Sequence, residues 1–331
     1  MKYAIIGDIH SGVQKNNPIF HKTLLDYGKW VRNICNEQNI DDLILLGDIF
    51  DSRTSITLET LDNVTQFFKI FYDFDIDAVV GNHDCMYNDS CKVNSLAPFA
   101  DHPNIHIHDE ICTKNNLTFC PWACKLEDIP INDYIFGHFD IVGYELTKGK
   151  ISNHGFKGVD LMKKAKKAVF SGHYHIFQKR IYDGKPLIYT GSAYSLSFND
   201  ADSKKYLHIF DSETGEIQQI ENTVSPCFKY VRSDKDLTDI KGNFISVVSD
   251  DQNLLEKVNM SQPLSVRKEI VDEFKKIDEK QEEVKEFKVV DIADAIEDFS
   301  LKLSDEWDLD DDLKKEVAKR IAAQQVSSFV H

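Results

Sequence analysis

The chain has 331 residues, 39 Lys and Arg against 55 Asp and Glu, a formal net charge of −16 and 11% aromatic residues. This length can bury one large core and one or two small ones, while the acidic balance excludes a uniformly basic DNA-coating protein. No apolar run reaches the ~20 residues of a membrane-spanning helix, and Met1-Lys2-Tyr3-Ala4-Ile5 enters a strand directly instead of a signal peptide.

The first strand ends in Gly7-Asp8-Ile9-His10. Residues 19–38 then carry Phe20, Leu24, Gly28, Val31 and Cys35 at helical spacing, and the strand 43–46 completes a β-α-β unit. Residues 58–72 repeat the pattern, with Leu58, Leu61, Val64, Phe68 and Phe71 expected on one stripe, and lead to the strand 76–80. Right-handed crossovers place these strand ends along one sheet edge, so Asp8, Asp48 and Asn82 become neighbours by topology.

From Ile105 the texture changes to short strands at 105–108, 117–120, 134–136, 168–170, 179–182, 187–189, 207–210 and 217–220. Tyr182-Asp183-Gly184-Lys185 and Ser212-Glu213-Thr214-Gly215 are hairpin signals. These elements predict a second sheet packed on the first, with helices outside. Near Ser225-Pro226 the hairpins stop, and residues 228–265 read as a small α/β piece. A charged helix is expected over 266–286, then two helices within 290–325 with apolar stripes at Ile292, Ala295, Ile296, Phe299, Leu303 and at Leu313, Val317, Ile321, Ala322. From Ser233 onward acidic residues outnumber basic ones by 25 to 15, so most of the excess charge lies in this last third.

Five apolar runs end in Gly followed by a ligand-type residue: Gly7-Asp8-Ile9-His10, Gly47-Asp48-Ile49-Phe50-Asp51, Gly81-Asn82-His83-Asp84, Gly137-His138 and Gly172-His173-Tyr174-His175. Any one has an ordinary explanation as a helix cap, a turn or a structural histidine. Together they form a mixed Asp/His/Asn ligand set, which suits a transition metal at a hydrolytic site. The inventory fits two ions: Asp8, His10, Asp48 and His175 for one, Asp48, Asn82, His138 and His173 for the other, with Asp48 bridging. His83 is then free to act on the leaving oxygen, and Asp84 is expected to hold its ring in orientation.

These motifs, in this order, resemble the calcineurin-like metallophosphoesterase superfamily. The Asp48-Ile49-Phe50-Asp51 loop, Pro121-Trp122 and the stretch from Gly137-His138-Phe139-Asp140 through Asn153-His154-Gly155 to His175 are similar to SbcD-type nuclease subunits of DNA repair and recombination, most narrowly the phage recombination endonuclease subunits. The superfamily likeness spans residues 1–221. It implies a four-layer α/β sandwich, two mixed sheets flanked by helices, over 1–224; a small α/β capping, DNA-binding domain over 225–265; and an acidic helical tail over 266–331 that docks on a partner ATPase, through residues such as Ile296, Phe299, Leu303, Val317 and Ile321. It also implies a Mn²⁺-dependent double-strand DNA exonuclease and single-strand DNA endonuclease, a homodimer, working with an SMC-like ABC ATPase in the cytoplasm of a bacterial or phage-infected cell. Some relatives have His where this chain has Asp51.

The alternatives are a calcineurin-like phosphodiesterase or phosphatase acting on nucleotides or phosphoproteins, and a catalytically idle scaffold for an ATPase. Asp51, Arg53 and the run Lys163, Lys164, Lys166, Lys167, inside a basic stretch from Lys148 to Lys185, are the substrate-binding candidates; a solvated helix face is the plain reading of those lysines. Seven cysteines at irregular spacing do not form a disulfide framework and point to a reducing cytoplasm. Cys120-x-x-x-Cys124 lacks the second pair that a structural zinc site needs.

Overall fold

Alternating strands and amphipathic helices build the first half of the chain. Strand β1 (Lys2–Ile6) passes through a left-handed turn at Val13–Asn16 (α1) into the long helix α2 (Pro18–Gln38). Asn17 caps α2 by accepting the Ile19 N–H at 3.0 Å, and Pro18 sits in the first turn, where a missing N–H costs nothing. There follow β2 (Asp42–Leu45), α3 (Leu58–Ile70), β3 (Asp75–Val79) and β4 (Ile105–His108). The second half supplies β5 (Cys112–Lys114), β6 (Leu117–Cys120), β7 (Asn132–His138), the hairpin β8 (Glu145–Thr147) and β9 (Lys150–Ile151), α4 (Gly158–Met162), β10 (Ala165–Gly172), β11 (Gln178–Tyr182), β12 (Lys185–Tyr189), β13 (Tyr206–Asp211) and β14 (Ile217–Glu221).

In this computed structural model, which describes residues 1–269, these strands form two six-stranded sheets, ordered β14-β13-β1-β2-β3-β4 and β11-β12-β10-β7-β6-β5. Both are mixed: β1 to β4 run parallel with β13 and β14 antiparallel, and β6, β7, β10 and β12 run parallel with antiparallel edges. Tyr3, Ile5, Ile44 and Leu46 from the first sheet meet Phe119, Phe136, Phe170 and Ile188 from the second in one buried cluster, so the sheets pack face to face. Phe20, Leu24, Val31, Val64 and Phe67 of α2 and α3 cover the outside of the first sheet. This is the expected α/β sandwich.

Asp77 on β3 joins the sheets at their shared edge. Its carboxylate lies 2.7 Å from His108 Nε2 on β4 and 2.5 Å from Lys114 Nζ on β5. Burial pushes the Asp77 carboxyl upward, but those two donors outweigh it and hold it below the usual carboxylate range. The stability this supplies is therefore full above the unfolded carboxylate value, about 3.9, and is lost as pH falls through the lower folded value. Asp77→Ala is expected to cost about 2 kcal/mol in urea unfolding at pH 7, less than the ~3–5 of a fully buried pair, because Lys114 stays 34% exposed. It should also flatten the acid limb of the stability curve.

Several expectations change. Leu58 and Leu61 face outward, 85% and 36% exposed, while Thr60, Asn63, Val64, Phe67 and Phe68 form the buried face of α3. Thr57 caps the helix, so Leu58 stands in its first turn, outside the i, i+3, i+4 row that meets the sheet. Cys85 and Cys91 lie side by side with Cα atoms 4.9 Å apart, close enough to pair, a proximity the cysteine spacing did not signal; Cys120 and Cys124 are free.

Beyond residue 225, β15 (Phe228–Val231), β16 (Phe244–Val248) and β17 (Ser265–Glu269) make a parallel sheet with helix α5 (Gln252–Met260) over a core of Val231, Ile245, Val247, Leu254 and Val258. Strand β17 stands where a helix from Val266 is expected, because Val266 pairs with Ile245 and packs on that core, so the expected boundary at 265/266 falls inside a strand. The expected tail helices and Ile296, Phe299, Leu303, Val317 and Ile321 lie outside the described residues. Among the described residues no helix is long and apolar enough to cross a membrane.

Candidate metal centre

Parallel strands end on the same edge, and this fixes where the polar loops meet. Asp8 and His10 follow β1, Asp48 follows β2, Asn82 and His83 follow β3, His138 closes β7, and His173 and His175 follow β10. Close approach of these loops demands glycine at two places. Gly47 has φ +94°, and a Cβ there would lie 2.6 Å from His138 Nδ1; a Cβ on Gly172 would lie 2.4 Å from the Leu46 carbonyl oxygen and 2.8 Å from Asp8 Oδ1. His10, Asp48 and His173 also have left-handed backbones, φ 47°, 50° and 89°. Such conformations cost of order 1–3 kcal/mol each and persist where the surroundings over-determine them.

The side chains converge on Asp48. Its Oδ2 lies 3.3 Å from His138 Nε2 and 3.5 Å from His10 Nε2, while its Oδ1 accepts the His83 N–H at 2.8 Å. Asn82 Oδ1 sits 2.9 Å from both His138 Nε2 and His173 Nδ1. His10 Nε2 and His175 Nε2 are 3.1 Å apart, and the Asp8 carboxylate accepts the His173 N–H at 3.0 and 3.1 Å. Two groups result whose donor atoms all lie within 4.8 Å of one another: His10, Asp48 and His83, and Asp48, His138 and His173.

The donor set itself tests whether cations fit. His138 Nδ1 is 2.7 Å from the Leu46 carbonyl oxygen, which can only accept, so that nitrogen carries the proton and Nε2 turns a lone pair toward Asp48 and Asn82. His10 Nδ1 lies 3.2 Å from Asp51 Oδ1 without hydrogen-bond geometry, and its Nε2 is directed toward His175 and Asp48. Lone pairs that face one another in a buried site call for a cation between them. Electrostatics agree. Although burial opposes charge on His138, Asp48 and Asp8 lift its pKa to about 9, and burial pushes Asp8 up to about 6. Burial with the nearby His138 charge lowers His173 to about 3. The field that draws a proton to His138 also draws a divalent cation, which displaces that proton when neutral imidazole ligates.

The model of the calcineurin-like phosphoesterase superfamily domain matches residues 1–215. The chain belongs to that superfamily. A curated relative, exonuclease subunit 1 of Enterobacteria phage T4, is 28% identical over 240 residues, covering 68% of this chain and 69% of that protein. A solved structure of an archaeal phosphodiesterase is 16% identical with a TM-score of 0.38, covering 67% of this chain and 100% of that one. Superfamily membership makes the chain a metal-dependent phosphoesterase, and the two His/Asp groups above are ones whose donor atoms could hold a divalent metal.

Other residues of this phosphoesterase are placed differently from the sequence expectation. Asp84 does not orient His83: its carboxylate accepts the N–H groups of Ile49, Phe50 and Gly81 at 3.0–3.2 Å and so clamps the loop behind Asp48. The His83 ring instead points Nδ1 at the Asp51 carbonyl oxygen, 2.6 Å away, which leaves Nε2 free. Asp51 thus meets His83 through its carbonyl and lies beside His10 with its carboxylate. Arg53 reaches Asn88.

The lysine run does not flank the His173 loop. Lys163 follows α4 and pairs with Asp160, Lys164 donates to the Glu127 and Ile129 carbonyls, and Lys166 and Lys167 pair with Asp133 at the start of β10. Strand β10 has its other end at the metal loops, so about 20 Å of extended chain separates the two.

Lys205 gave no sequence signal, being a single lysine beside a strand. It is 5% exposed and donates to the His175 carbonyl at 2.7 Å and to Ser192 Oγ at 2.8 Å, with Asp200 Oδ1 at 3.4 Å. Lys205→Met would leave the Asp200 carboxylate buried without its cation. The expected results are a loss of about 3 kcal/mol in urea unfolding and about tenfold weaker Mn²⁺ binding in a metal titration.

Proposed function

We propose that this phosphoesterase is a two-metal DNA nuclease, a double-strand exonuclease and single-strand endonuclease subunit of a recombination and repair complex with an SMC-like ABC ATPase. The observation that carries the proposal is the sharing of Asp48 between two donor groups, in a chain related to a protein named as an exonuclease subunit. Asp8, His10, Asp48 and His175 would hold one ion and Asp48, Asn82, His138 and His173 the other. Two divalent cations held there, Mn²⁺ as the resemblance to SbcD-type nucleases implies, would supply Lewis acidity at the phosphoryl group and a nucleophile at neutral pH.

His83 presents Nε2 at the mouth of the pocket and donates a proton to the departing 3′ or 5′ oxygen. The Asp51 carbonyl accepts a hydrogen bond from the Nδ1–H and so orients the ring, and the proton given up at Nε2 is that of the doubly protonated imidazolium. Asp84 holds the Asp48 loop rigid, and Lys205 holds the backbone of His175. Homodimer formation would bury the exposed apolar start of α3, Leu58 with Ile56, and the complex would work in the cytoplasm.

Incubation of the full chain with labelled duplex DNA and Mn²⁺, with and without the ATPase, tests the reading. Progressive shortening of the duplex is expected. Hydrolysis of a small nucleotide diester with DNA left intact would overturn it.

A further inference from the structure

The loop that carries His83 leads directly into a pair of thiols. Cys85 follows Asp84, and Cys91 comes back beside it with the Cα atoms 4.9 Å apart, within bridging range. Both side chains are buried, while Met86, Tyr87, Asn88 and Asp89 between them are exposed. The Met86 N–H donates to the Val93 carbonyl at 2.9 Å and the Asn94 amide to the Cys91 carbonyl at 2.8 Å, which draws the ends of the loop together. Buried cysteines often serve only as small apolar residues. Here one of the two can be reached: Cys91 lines a cleft of about 330 Å³, with Lys92, Pro121 and Cys124 on its walls, and Cys85 is not among them.

The loop is tied to the metal centre at two points. Next to Cys85, Asp84 clamps the Asp48 loop from behind. Ser95, just past the second thiol, holds Asp84 in turn: its N–H donates to the Asp84 carbonyl at 2.9 Å and its hydroxyl to the carboxylate at 3.3 Å. Midway round the loop, Asn88 accepts from the Arg53 guanidinium. Arg53 stands shortly after Asp51, whose carbonyl orients the His83 ring. An exposed loop with few buried contacts opens locally at little cost, and a covalent bond across its base removes that freedom. The state of the two thiols therefore sets how firmly Asn88 and Arg53 hold the Asp51 loop, and with it the His83 ring.

We propose that Cys85 and Cys91 are a reversible redox site, a dithiol that a small disulfide oxidises and whose bridged form fixes His83 for proton transfer. The Cys91 thiolate, reached through the cleft, attacks one sulfur of the small disulfide, forming a mixed disulfide and expelling one thiolate. The Cys85 thiolate then displaces the second and closes the Cys85–Cys91 bond. The small disulfide is thereby reduced to two thiols, which take up the two cysteine protons. In a reducing compartment the pair rests open, and it closes when disulfides accumulate. The bridge is independent of the nuclease reading; its effect on rate rests on His83 as the proton donor.

The test treats the full chain with bis(2-hydroxyethyl) disulfide or with tris(2-carboxyethyl)phosphine, then denatures it in iodoacetamide and digests it with trypsin. Both cysteines lie on one tryptic peptide, residues 70–92, between Lys69 and Lys92. After oxidation this peptide should be unalkylated and lighter by two hydrogens; after reduction it should carry two alkyl groups. Rates with Mn²⁺ are read on the phenyl and 4-nitrophenyl esters of thymidine 5′-phosphate, of which only the phenyl ester gains from a proton donor. Reduction should slow the phenyl ester about tenfold, the scale of a displaced reacting group, and leave the nitrophenyl ester unchanged. Cys91→Ser should match the reduced wild type with or without oxidant. Two free thiols or two mixed disulfides after oxidation, or a bridge from either cysteine to Cys124, would overturn the site. Equal rates in the two states, or equal changes on both esters, would overturn its control of His83. If DNA is left intact while the peptide and ester results hold, the nuclease reading falls and the redox site stands.

Discussion

Asp48→Asn is expected to lower Mn²⁺-dependent DNA hydrolysis by about 10⁴-fold, equivalent to about 5.5 kcal/mol of transition-state stabilisation. The amide keeps an oxygen for the His83 N–H, so the loop retains its shape, but the charge between His10 Nε2 and His138 Nε2 is gone. Because that one carboxylate belongs to both donor groups, its loss should release both ions, not one. Metal analysis of the variant should therefore approach zero Mn²⁺ per chain, while circular dichroism matches the wild type. Retention of a single ion would mean that Asp48 serves only one site.

His83→Ala should behave differently. DNA hydrolysis should fall about 10²–10⁴-fold, the range for loss of a positioned proton donor, with two ions still bound. The distinguishing measurement is leaving-group dependence. A 4-nitrophenyl ester departs without needing a proton, so its hydrolysis should fall less than tenfold. Since a His83 ring nitrogen also lies within reach of His10 and Asp48, loss of one ion from this variant, with equal losses on both substrates, would make His83 a ligand and remove it as the acid.

The convergence of these side chains was legible because each candidate loop follows a strand and a glycine, and parallel strands deliver their ends to one edge. Direction and distance were not. Lys166 and Lys167 are close in sequence to His173, yet an eight-residue strand carries them to the far end of the sheet. Asp84 directly follows His83, but the turn aims its carboxylate backward at Ile49, Phe50 and Gly81, where three backbone N–H groups hold it. Adjacent residues in a tight turn point apart, so sequence proximity misassigned its partner.

The small sheet shows a different limit. Its last strand, Ser265–Glu269, has charged residues in a row and reads as the start of a helix; only pairing with Phe244–Val248 makes it a strand. The two clefts that share Phe198 and Tyr230 draw residues from α1, α2, β8, the Phe198 turn, β15, β16 and β17. No local pattern announces them, since their parts meet only after the two sheets and the small sheet have packed.

Anomalous diffraction from manganese-soaked crystals of the full chain, collected at the Mn edge, tests the central claim most directly. Two peaks per chain are expected, both within bonding distance of Asp48, one beside His10 and His175 and the other beside Asn82, His138 and His173. A single peak, or two that do not share Asp48, would contradict it.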